Sequence, residues 1–307
     1  MKIVVVGAGA MGSLYGALLS TVAGTEVWLL DVWAEHVEAI NRDGVIMEEP
    51  DGIHSYRNVR AVTNAKEIGE ADLAVIFVKS TLTKKAMEES KAVFGEKTLV
   101  LSLQNGLGNI EQMASVVNEG NILAGTTAHG ATMLGPGKIR HAGRGKTILG
   151  EPDGCRTGRV QETAALFEKA GLETEISENV IGLIWDKLLV NVGINALTVI
   201  TRLQNGKLLE HPEIIALLEA AVKEAAAVAA ASGIKLGFAD PVAHAKEVCA
   251  ATSQNKSSML QDVLNGRKTE IDRINGVIVR EGEKYGVPAP VNFALTNLVK
   301  FIEGEAK

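Results

Sequence analysis

The first half of the chain alternates short apolar runs, rich in β-branched residues, with segments whose apolar positions recur at helical spacing. Runs that are apolar throughout are typical of parallel strands buried on both faces by helices. The pattern therefore predicts an α/β domain with a Rossmann-type, doubly wound parallel sheet. The predicted strands are "KIVVV" (2–6), "EVWLL" (26–30), "LAVIFV" (73–78), "TLVLSL" (98–103) and "ILAGTT" (122–127).

Two further stretches in this half have the turn residues of antiparallel hairpins. The first, "MEEPDGIHSYRNVRAV" (47–62), is predicted to turn at Asp51-Gly52. The second, "GKIRHAGRGKTILG" (137–150), is predicted to turn between Gly143 and Gly145.

After residue 178 the apolar spacing becomes helical throughout, which predicts an all-α second domain. We therefore place a dinucleotide-binding domain at 1–178 and a helical substrate-binding and catalytic domain at 179–307. The glycines Gly233, Gly266, Gly286 and Gly304 stand where helices are expected to end. The predicted helices are 179–200, 212–233, 241–254, 257–266, 269–286 and 290–304.

The composition excludes several classes of function. The 307 residues carry a net charge of −6 with acids and bases intermixed, and only 4% are aromatic, so nucleic-acid binding is not expected. Cys155 and Cys249 lie far apart without metal-ligand spacing, which predicts a reducing compartment and no metal site. No apolar run of about 18 residues is free of charges and turn signals, so we expect a soluble cytoplasmic protein without a membrane partner.

A glycine motif follows the first predicted strand. In "VVVGAGAMG", Gly7 would permit a tight turn, Gly9 would let the backbone approach a pyrophosphate, and Gly12 would let helix and strand pack closely. Backbone N–H groups at the start of the next helix would then bind phosphate oxygens. The motif predicts a dinucleotide site, against the alternative of a ligand-free structural Rossmann domain. The cofactor-binding candidates in it are Gly7, Ala8, Gly9, Ala10, Met11 and Gly12.

Asp31 ends the second predicted strand, 19 residues after Gly12, where an acid can bind ribose hydroxyls. Its carboxylate would repel the 2′-phosphate of NADPH, and the following "VWAEH" contains no lysine or arginine. These residues favour NADH over NADPH. The alternatives are that Asp31 faces water or caps the next helix.

Other polar residues follow strands, at the sheet edge where doubly wound folds bind ligands. Lys79 and Asn105 are placed to contact cofactor or substrate, although Lys79 could be a solvated surface lysine and Asn105-Gly106 a simple turn. His129 also follows a strand, and without a visible partner we interpret it as structural.

The helical half contains a polar row within an apolar segment, "WDKLLVNVGINALTVI". Lys187, Asn191 and Asn195 are spaced four apart, so a helix would align them on one face. Burying such groups costs several kcal/mol unless each has a partner. One interpretation is a structural polar ladder in which Lys187 pairs with Glu270. The other is one wall of an active-site cleft, with the sheet domain as the other wall. Further polar residues available to either arrangement are Asn205, Asn255, Ser257, Ser258, Glu270 and Asp272.

The chain resembles the ketopantoate reductases (2-dehydropantoate 2-reductases) over nearly its whole length. The resemblance rests on "GAGAMG", "LQNGLGNIE", "GTTAHGA", "WDKLLVNVGINALTVI", "SSMLQD" and "KTEIDRINGVIV", in that order. It implies that Lys187 is the proton donor and that Lys79, Ala131 and Glu270 lie near the cofactor, with Glu270 also beside the catalytic amine. It further implies a substrate site, with Asn105 beside both ligands. The substrate-binding candidates are Asn105, Asn191, Asn195, Asn205, Asn255 and Ser258.

The implied reaction is reduction of ketopantoate to pantoate by NADH or NADPH, within pantothenate and coenzyme A biosynthesis. The apolar helix should lower the pKa of Lys187, whereas Glu270 should raise it. One residue departs from the family pattern, because members that use NADPH tend to have arginine where this chain has Asp31. The alternatives are a reductase of another branched 2-keto acid and a non-catalytic dinucleotide-binding redox sensor. A homodimer is an open alternative to a monomer.

Overall fold

The first strand shows why the large sheet is covered on both faces. In the computed structural model, which describes residues 1–305, Ile3 and Val5 pack into one apolar core while Val4 and Val6 pack into a second. Alternate residues of a strand point to opposite faces, so both faces of this strand are buried. The predicted Rossmann-type sheet is therefore confirmed.

The large sheet has the strand order β12-β11-β8-β7-β6-β1-β2-β5. The six strands from β5 to β8 in this order are parallel, β11 runs antiparallel to β8, and β12 is parallel to β11. The carboxyl ends of the parallel strands consequently lie at one edge. Its strands are β1 (Lys2–Val6), β2 (Glu26–Leu30), β5 (Val59–Val62), β6 (Leu73–Ile76), β7 (Leu99–Ser102), β8 (Ile122–Thr127), β11 (Thr147–Gly150) and β12 (Thr174–Ile176).

A smaller sheet has the order β4-β3-β10-β9. The hairpin predicted at Asp51-Gly52 is present, because β3 and β4 pair antiparallel with Glu49 opposite Gly52. The remainder of that stretch forms β5, which pairs with β2 of the large sheet instead. The strands of the small sheet are β3 (Val45–Glu49), β4 (Gly52–Tyr56), β9 (Gly130–Gly135) and β10 (Lys138–Gly143).

The hairpin predicted between Gly143 and Gly145 is wrong. β10 pairs antiparallel with β9, and Gly137 in the connection between them has a positive φ of 69°. After β10 the chain leaves the small sheet, and β11 pairs with β8 of the large one. Thr147 and Leu149 of β11 are buried there. Burial of this strand in the large sheet therefore outweighs the local turn signal of the glycines.

Five helices accompany the sheets in the first half. Contacts between Cα atoms divide the chain into two units: Met1–Gln104 with Gly108–Val180, and Asn105–Leu107 with Ile181–Lys307. The last two positions of the predicted second domain, 306 and 307, lie outside the described residues. The helices of the first unit are α1 (Ala10–Leu19), α2 (Ala34–Asp43), α3 (Thr83–Glu89), α4 (Asn109–Ala114) and α5 (Gly158–Lys169).

The second unit is helical, as predicted. Gly233, Gly266 and Gly286 have positive φ directly beyond or shortly after helix ends, but Gly304 lies within the last helix, which continues to Glu305. The segment predicted as one helix from 269 begins with a 3₁₀ turn, Ile271–Arg273, before the helix proper. The helices are α6 (Val180–Thr201), α7 (Pro212–Ala231), α8 (Pro241–Ala251), α9 (Ser258–Leu264), α10 (Asn275–Tyr285) and α11 (Pro290–Glu305).

Helix α6 is the center of the second unit. By length and composition it could cross a membrane, yet 72% of its most apolar window is buried inside the protein. Leu188, Leu189 and Val192 belong to the core of the unit, and a Cβ at Gly193 would lie 2.8 Å from Val222 of α7. The apolar character of α6 is therefore accounted for by packing against other helices.

Candidate functional site

The glycine-rich connection between β1 and α1 has the shape expected of a phosphate-binding loop. Gly7 has φ 93°, and a Cβ there would lie 2.6 Å from the backbone N of Val78. A Cβ at Gly12 would overlap the carbonyl oxygen of Gly7, so helix and loop are in close contact. At Gly9, in contrast, a Cβ would meet nothing within 4 Å. The loop thus fits a dinucleotide, with open space at the glycine where a pyrophosphate would approach.

Asp31 follows β2 at the carboxyl edge of the sheet. Its backbone N–H donates to the carbonyl of Val62 (3.2 Å), and its Oδ1 accepts from the N–H of Trp33 (3.0 Å). Trp33 is the residue that precedes the first turn of α2. One carboxylate oxygen therefore forms a local turn bond before α2, which has no side-chain cap, and this bond is compatible with ribose binding by the carboxylate.

Lys79 lies three residues beyond β6, where it precedes a short 3₁₀ helix, Ser80–Leu82, and is half-buried. Gln104, which the sequence analysis did not single out, supports this loop: its Nε2 donates to the carbonyl of Val78 and to Thr83 Oγ1, both at 2.7 Å. A glutamine directly after a buried strand at the ligand edge was the signal that could have identified it.

Asn105 is half-buried and groups with the second unit, together with Gly106 and Leu107. The N–H of Leu107 donates to the carbonyl of Arg273 (3.3 Å). A Cβ at Gly106, whose φ is 78°, would lie 2.7 Å from the same oxygen, so this turn requires glycine. Asn105-Gly106 therefore lies in a bend of the chain that is packed against the segment following Glu270.

Ala131 and His129, which both follow β8, have different surroundings. Ala131 lies in β9 and is half-buried against the core of the first unit. The Nδ1 of His129 lies 3.0 Å from Nε2 of His141, whose Nδ1 lies 3.3 Å from Oε1 of Glu49. Burial, together with His141 and Arg144, lowers the pKa of His129 to about 4.

The polar row predicted on a helix lies within α6. Lys187 and Asn191 are half-buried, and Asn195 is buried. Burial lowers the pKa of Lys187 to about 8, and the buried carboxylate of Glu270 acts on it in the opposite direction. Both influences are those expected from the sequence. A lysine with a pKa near 8 is charged at neutral pH yet releases its proton far more readily than a surface lysine.

Three carboxamides of the second unit have a buried atom without a hydrogen-bond partner among residues 1–305: Asn195 Nδ2, Asn205 Oδ1 and Asn275 Oδ1. The orientation of Asn205 follows from its neighbour. Thr252 donates its hydroxyl proton to the carbonyl of Val248 (2.7 Å), so its Oγ1 accepts from Nδ2 of Asn205 (2.9 Å). Asn205 therefore directs an acceptor oxygen, and not a donor, toward its unpartnered side.

Two adjacent serines at the start of α9 differ in exposure. Ser258 and Asn255 are exposed, whereas Ser257 is buried and its Oγ accepts from the N–H of Leu260 (3.0 Å). The same Oγ lies 2.6 Å from Oγ1 of Thr198 in α6. Ser257 thus caps α9 and ties it to α6. A serine immediately before a helical run was the sequence signal for this role.

A potential metal-ligand cluster occurs in the small sheet. Within the described part of the chain, Glu49, Asp51 and His54 bring their ligand atoms within 4.8 Å of one another. The Glu49 carboxylate, however, already accepts from Tyr56 (3.0 Å) and Arg144 (2.9 Å). The carboxylate of Glu49 therefore already accepts two hydrogen bonds within the protein.

The features described above define a class of enzyme. They are a Rossmann-type sheet with a glycine-rich loop, an acid after β2, and a helical unit that contains a lysine of lowered pKa. Reductases and dehydrogenases that use NADH or NADPH are built in this way, and the chain is an oxidoreductase of that class.

Comparison with known proteins identifies the family. The family model described as "Ketopantoate reductase PanE/ApbA" matches residues 3–154, and the model of its C-terminal domain matches residues 179–303. The chain belongs to the ketopantoate reductase family, as its motifs predicted.

Relatives of known name cover the whole chain. A 2-dehydropantoate 2-reductase of Halobacterium salinarum is 37% identical over 99% of both chains, and one of Pyrococcus horikoshii is 38% identical over 98% of this chain and 97% of its own. Among solved structures, a PanE/ApbA family ketopantoate reductase of Ralstonia eutropha is 36% identical, covers 100% of this chain and 99% of its own, and has a TM-score of 0.91. A D-mandelate dehydrogenase in a ternary structure with NADH and anilino(oxo)acetate is 32% identical, with the same coverage and a TM-score of 0.92.

Proposed function

We propose that this chain is a 2-dehydropantoate 2-reductase that reduces the 2-keto group of ketopantoate to the alcohol of pantoate, with a place in pantothenate and coenzyme A biosynthesis. The observation that carries the proposal is the environment of Lys187, whose pKa is about 8 beside Glu270. The names of the full-length relatives support the choice of substrate.

In this reaction the reduced nicotinamide, when bound, supplies a hydride to the carbonyl carbon. Negative charge then develops on the carbonyl oxygen, and the ammonium of Lys187 stabilises it and donates the proton that completes the alcohol. Glu270 keeps the amine protonated within an apolar helix that would otherwise favour the neutral form. Lys187 is thus the proposed proton donor and Glu270 the group that maintains its charge.

The other polar residues of the second unit are proposed to bind substrate. A buried amide without a partner costs about 1–3 kcal/mol, so a ligand that satisfies Asn195 Nδ2 and Asn205 Oδ1 would recover that cost. Nδ2 suits the carboxylate of a 2-keto acid. Oδ1 needs a donor, which the 4-hydroxyl of ketopantoate provides and an unsubstituted aromatic keto acid lacks. The remaining proposed substrate ligands are Asn105, Asn191, Asn255 and Ser258.

The first unit is proposed to bind the dinucleotide through the loop Gly7–Gly12, with Asp31 on the adenosine ribose and Lys79 and Ala131 near the remainder of the cofactor. Within this proposal NADH is preferred, because the carboxylate of Asp31 opposes a 2′-phosphate. The solved D-mandelate dehydrogenase, which is 32% identical, contains NADH. The enzyme is further expected to be soluble and cytoplasmic, either as a monomer or as a homodimer.

A second candidate is the reduction of an aromatic 2-keto acid. The observation in its favour is the TM-score of 0.92 to D-mandelate dehydrogenase over the full chain. The orientation of Asn205 argues for the hydroxylated substrate instead.

The test is a spectrophotometric assay that follows loss of reduced nicotinamide absorbance. Purified protein is given ketopantoate, 2-ketoisovalerate (which lacks the hydroxymethyl group that carries the 4-hydroxyl) or phenylglyoxylate, with NADH and NADPH in turn. We expect ketopantoate to have the highest kcat/KM and Asn205→Ala to remove most of its advantage over 2-ketoisovalerate. A higher kcat/KM for phenylglyoxylate would support the second candidate, and absence of turnover with all three acids would refute both.

A further inference from the structure

His36 connects three parts of the first unit and has no part in the function proposed above. Its side chain is fully buried in α2. Its Nδ1 accepts from the backbone N–H of Gly137 (2.9 Å), and its Nε2 lies 3.2 Å from Oγ of Ser13 in α1. The Oγ of Ser13 donates to the carbonyl of Ala8 (2.7 Å), which lies between Gly7 and Gly9 of the glycine-rich loop.

The partners determine where each proton lies. A backbone N–H can only donate, so Nδ1 of His36 carries a lone pair and the neutral ring has its proton on Nε2. Ser13 has a single hydroxyl proton, which it gives to Ala8, so its oxygen accepts from Nε2–H of His36. Burial lowers the pKa of His36, whereas Asp31 and the Ala8 carbonyl act in the opposite direction. The lowered pKa favours the neutral ring that these hydrogen bonds require.

The hydrogen bonds from His36 through Ser13 to the Ala8 carbonyl set the direction of the Gly9 N–H in the loop. The described residues contain no cis peptide bond, so the carbonyl of Ala8 and the N–H of Gly9 point in opposite directions across one planar peptide. When Ser13 holds the carbonyl toward the interior, the N–H of Gly9 is directed away from it. Gly9 is exposed, and a Cβ there would meet nothing within 4 Å, so the space around this residue is open.

We propose that His36 is a positioning residue for the dinucleotide: through Ser13 it fixes the Ala8–Gly9 peptide so that the Gly9 N–H is oriented to bind pyrophosphate. This inference rests on the dinucleotide binding proposed for the loop.

The same histidine supports the ribose-binding side of the site. The indole of Trp33 stacks on the His36 ring, with 5.1 Å between centroids and 10° between planes. The N–H of Trp33 donates to Oδ1 of Asp31. The buried ring of His36 therefore contacts both Ser13, which bonds to the loop, and Trp33, whose N–H donates to Asp31.

The experiment measures the dissociation constants of NADH and ADP-ribose, by titration calorimetry, for the wild type, His36→Leu, Ser13→Ala and the double variant. Loss of one hydrogen bond in the chain should weaken both ligands by about three- to tenfold. Because both residues act through one chain, the double variant should lose about as much as the stronger single variant, and not the product of the two losses. In kinetics, KM for the dinucleotide should rise while kcat and KM for the keto acid stay near wild type.

Ser20 provides a matched control. It is also buried and donates to a backbone carbonyl, that of Ala17, at the same 2.7 Å, but it directly follows the last residue of α1, at the far end of the helix from the loop. Ser20→Ala should therefore leave both dissociation constants unchanged. Ser13→Ala removes only one oxygen atom, so it remains informative if His36→Leu does not fold.

The outcomes separate this inference from the proposed function. Wild-type protein that binds ADP-ribose, with Ser13→Ala and His36→Leu binding it equally well, would refute the role of His36 alone. Losses that multiply in the double variant would also refute it, because the residues would then act independently. A wild type that binds neither NADH, NADPH nor ADP-ribose would refute the proposed function and this inference together.

Discussion

At the scale of single residues, the proposed chemistry depends on how an apolar helix carries a charged amine. Lys187 lies in α6 between core leucines and valines, and its pKa of about 8 reflects loss of hydration that the Glu270 carboxylate partly offsets. Asn195 and Asn205 illustrate the complementary case of neutral groups with buried atoms left unpartnered in the described chain. Such unpartnered atoms are the reason why we propose that these residues bind a polar ligand.

Lys187→Ala should lower kcat by about two to four orders of magnitude, because general acid catalysis contributes roughly that factor. The dissociation constant of NADH should change less than about twofold, since the proposed cofactor loop lies in the other unit. Stopped-flow turnover and calorimetric titration measure the two quantities. Near-normal kcat in this variant would remove Lys187 as the proton donor.

The pH dependence of kcat/KM follows from the same pKa, because kcat/KM reports the ionisation of the free enzyme. Lys187 is the proton donor only in its charged form, which predominates below a pKa of about 8. We therefore expect kcat/KM for the keto acid to be level below that pH and to fall roughly tenfold per pH unit above it. A kcat/KM profile that stays flat from about pH 7 to 10 would contradict this assignment.

Asp31→Asn tests the cofactor preference. Removal of the carboxylate charge should raise kcat/KM for NADPH relative to NADH by about tenfold, since one charge interaction of this kind is worth about 1 kcal/mol or more. Asn retains the acceptor oxygen for the N–H of Trp33, so the turn at the start of α2 should be preserved. A wild-type enzyme that already prefers NADPH would contradict the NADH preference.

At the scale of elements, two glycines in the connection from β1 to α1 are subject to different constraints. Gly12 is required by protein packing, because a Cβ there would overlap the Gly7 carbonyl. Gly9 is under no such constraint within the protein, since its Cβ would meet nothing within 4 Å and its φ is −57°. The loop therefore allows fold and ligand binding to be tested separately.

Gly9→Ala should leave the free energy of unfolding within about 0.5 kcal/mol of wild type but weaken NADH binding at least about tenfold, because the methyl group occupies the space of the pyrophosphate. Gly12→Ala should lower the free energy of unfolding by about 1–3 kcal/mol through overpacking and weaken NADH binding as a consequence. Denaturant unfolding and calorimetric titration measure both effects. Equal unfolding losses in the two variants would show that Gly9 is also a packing residue.

At the scale of the whole molecule, the connection from β8 of the large sheet to β9 of the small sheet contains a histidine whose pKa makes stability depend on pH. His129 has a pKa of about 4, lowered chiefly by burial, so the folded protein holds it neutral. An unfolded histidine titrates near 6.5. The stability from His129 is therefore fully present above about pH 6.5 and is lost as pH falls toward 4.

The free energy of unfolding should consequently decrease between about pH 6.5 and 4, and His129→Asn should make that decrease shallower. His211→Asn is the control, because His211 is exposed. Urea unfolding at a series of pH values measures the slopes. Parallel slopes for the wild type and His129→Asn would show that the histidine does not contribute.

Much of the site was predictable because its signals are local. The spacing of Lys187, Asn191 and Asn195 places them on one face of any helix, and α6 is such a helix. The pKa directions of Lys187 also followed from its apolar neighbours and one acid. Gln104 and His36 were missed as supporting residues because their partners, Val78 and Ser13, are remote in sequence. Only the fold brings such pairs within hydrogen-bond distance.

The sequence by itself determined the class of each half, the buried strands, the helical row and the family, because residue spacing decides which side chains share a face of a strand or helix. The tertiary structure alone decided that β11 joins the large sheet despite the glycines before it, and which way the Asn205 amide points. Each of these depends on packing or hydrogen bonds between remote segments. Local propensities differ by about 1 kcal/mol or less, so burial and remote partners can override them.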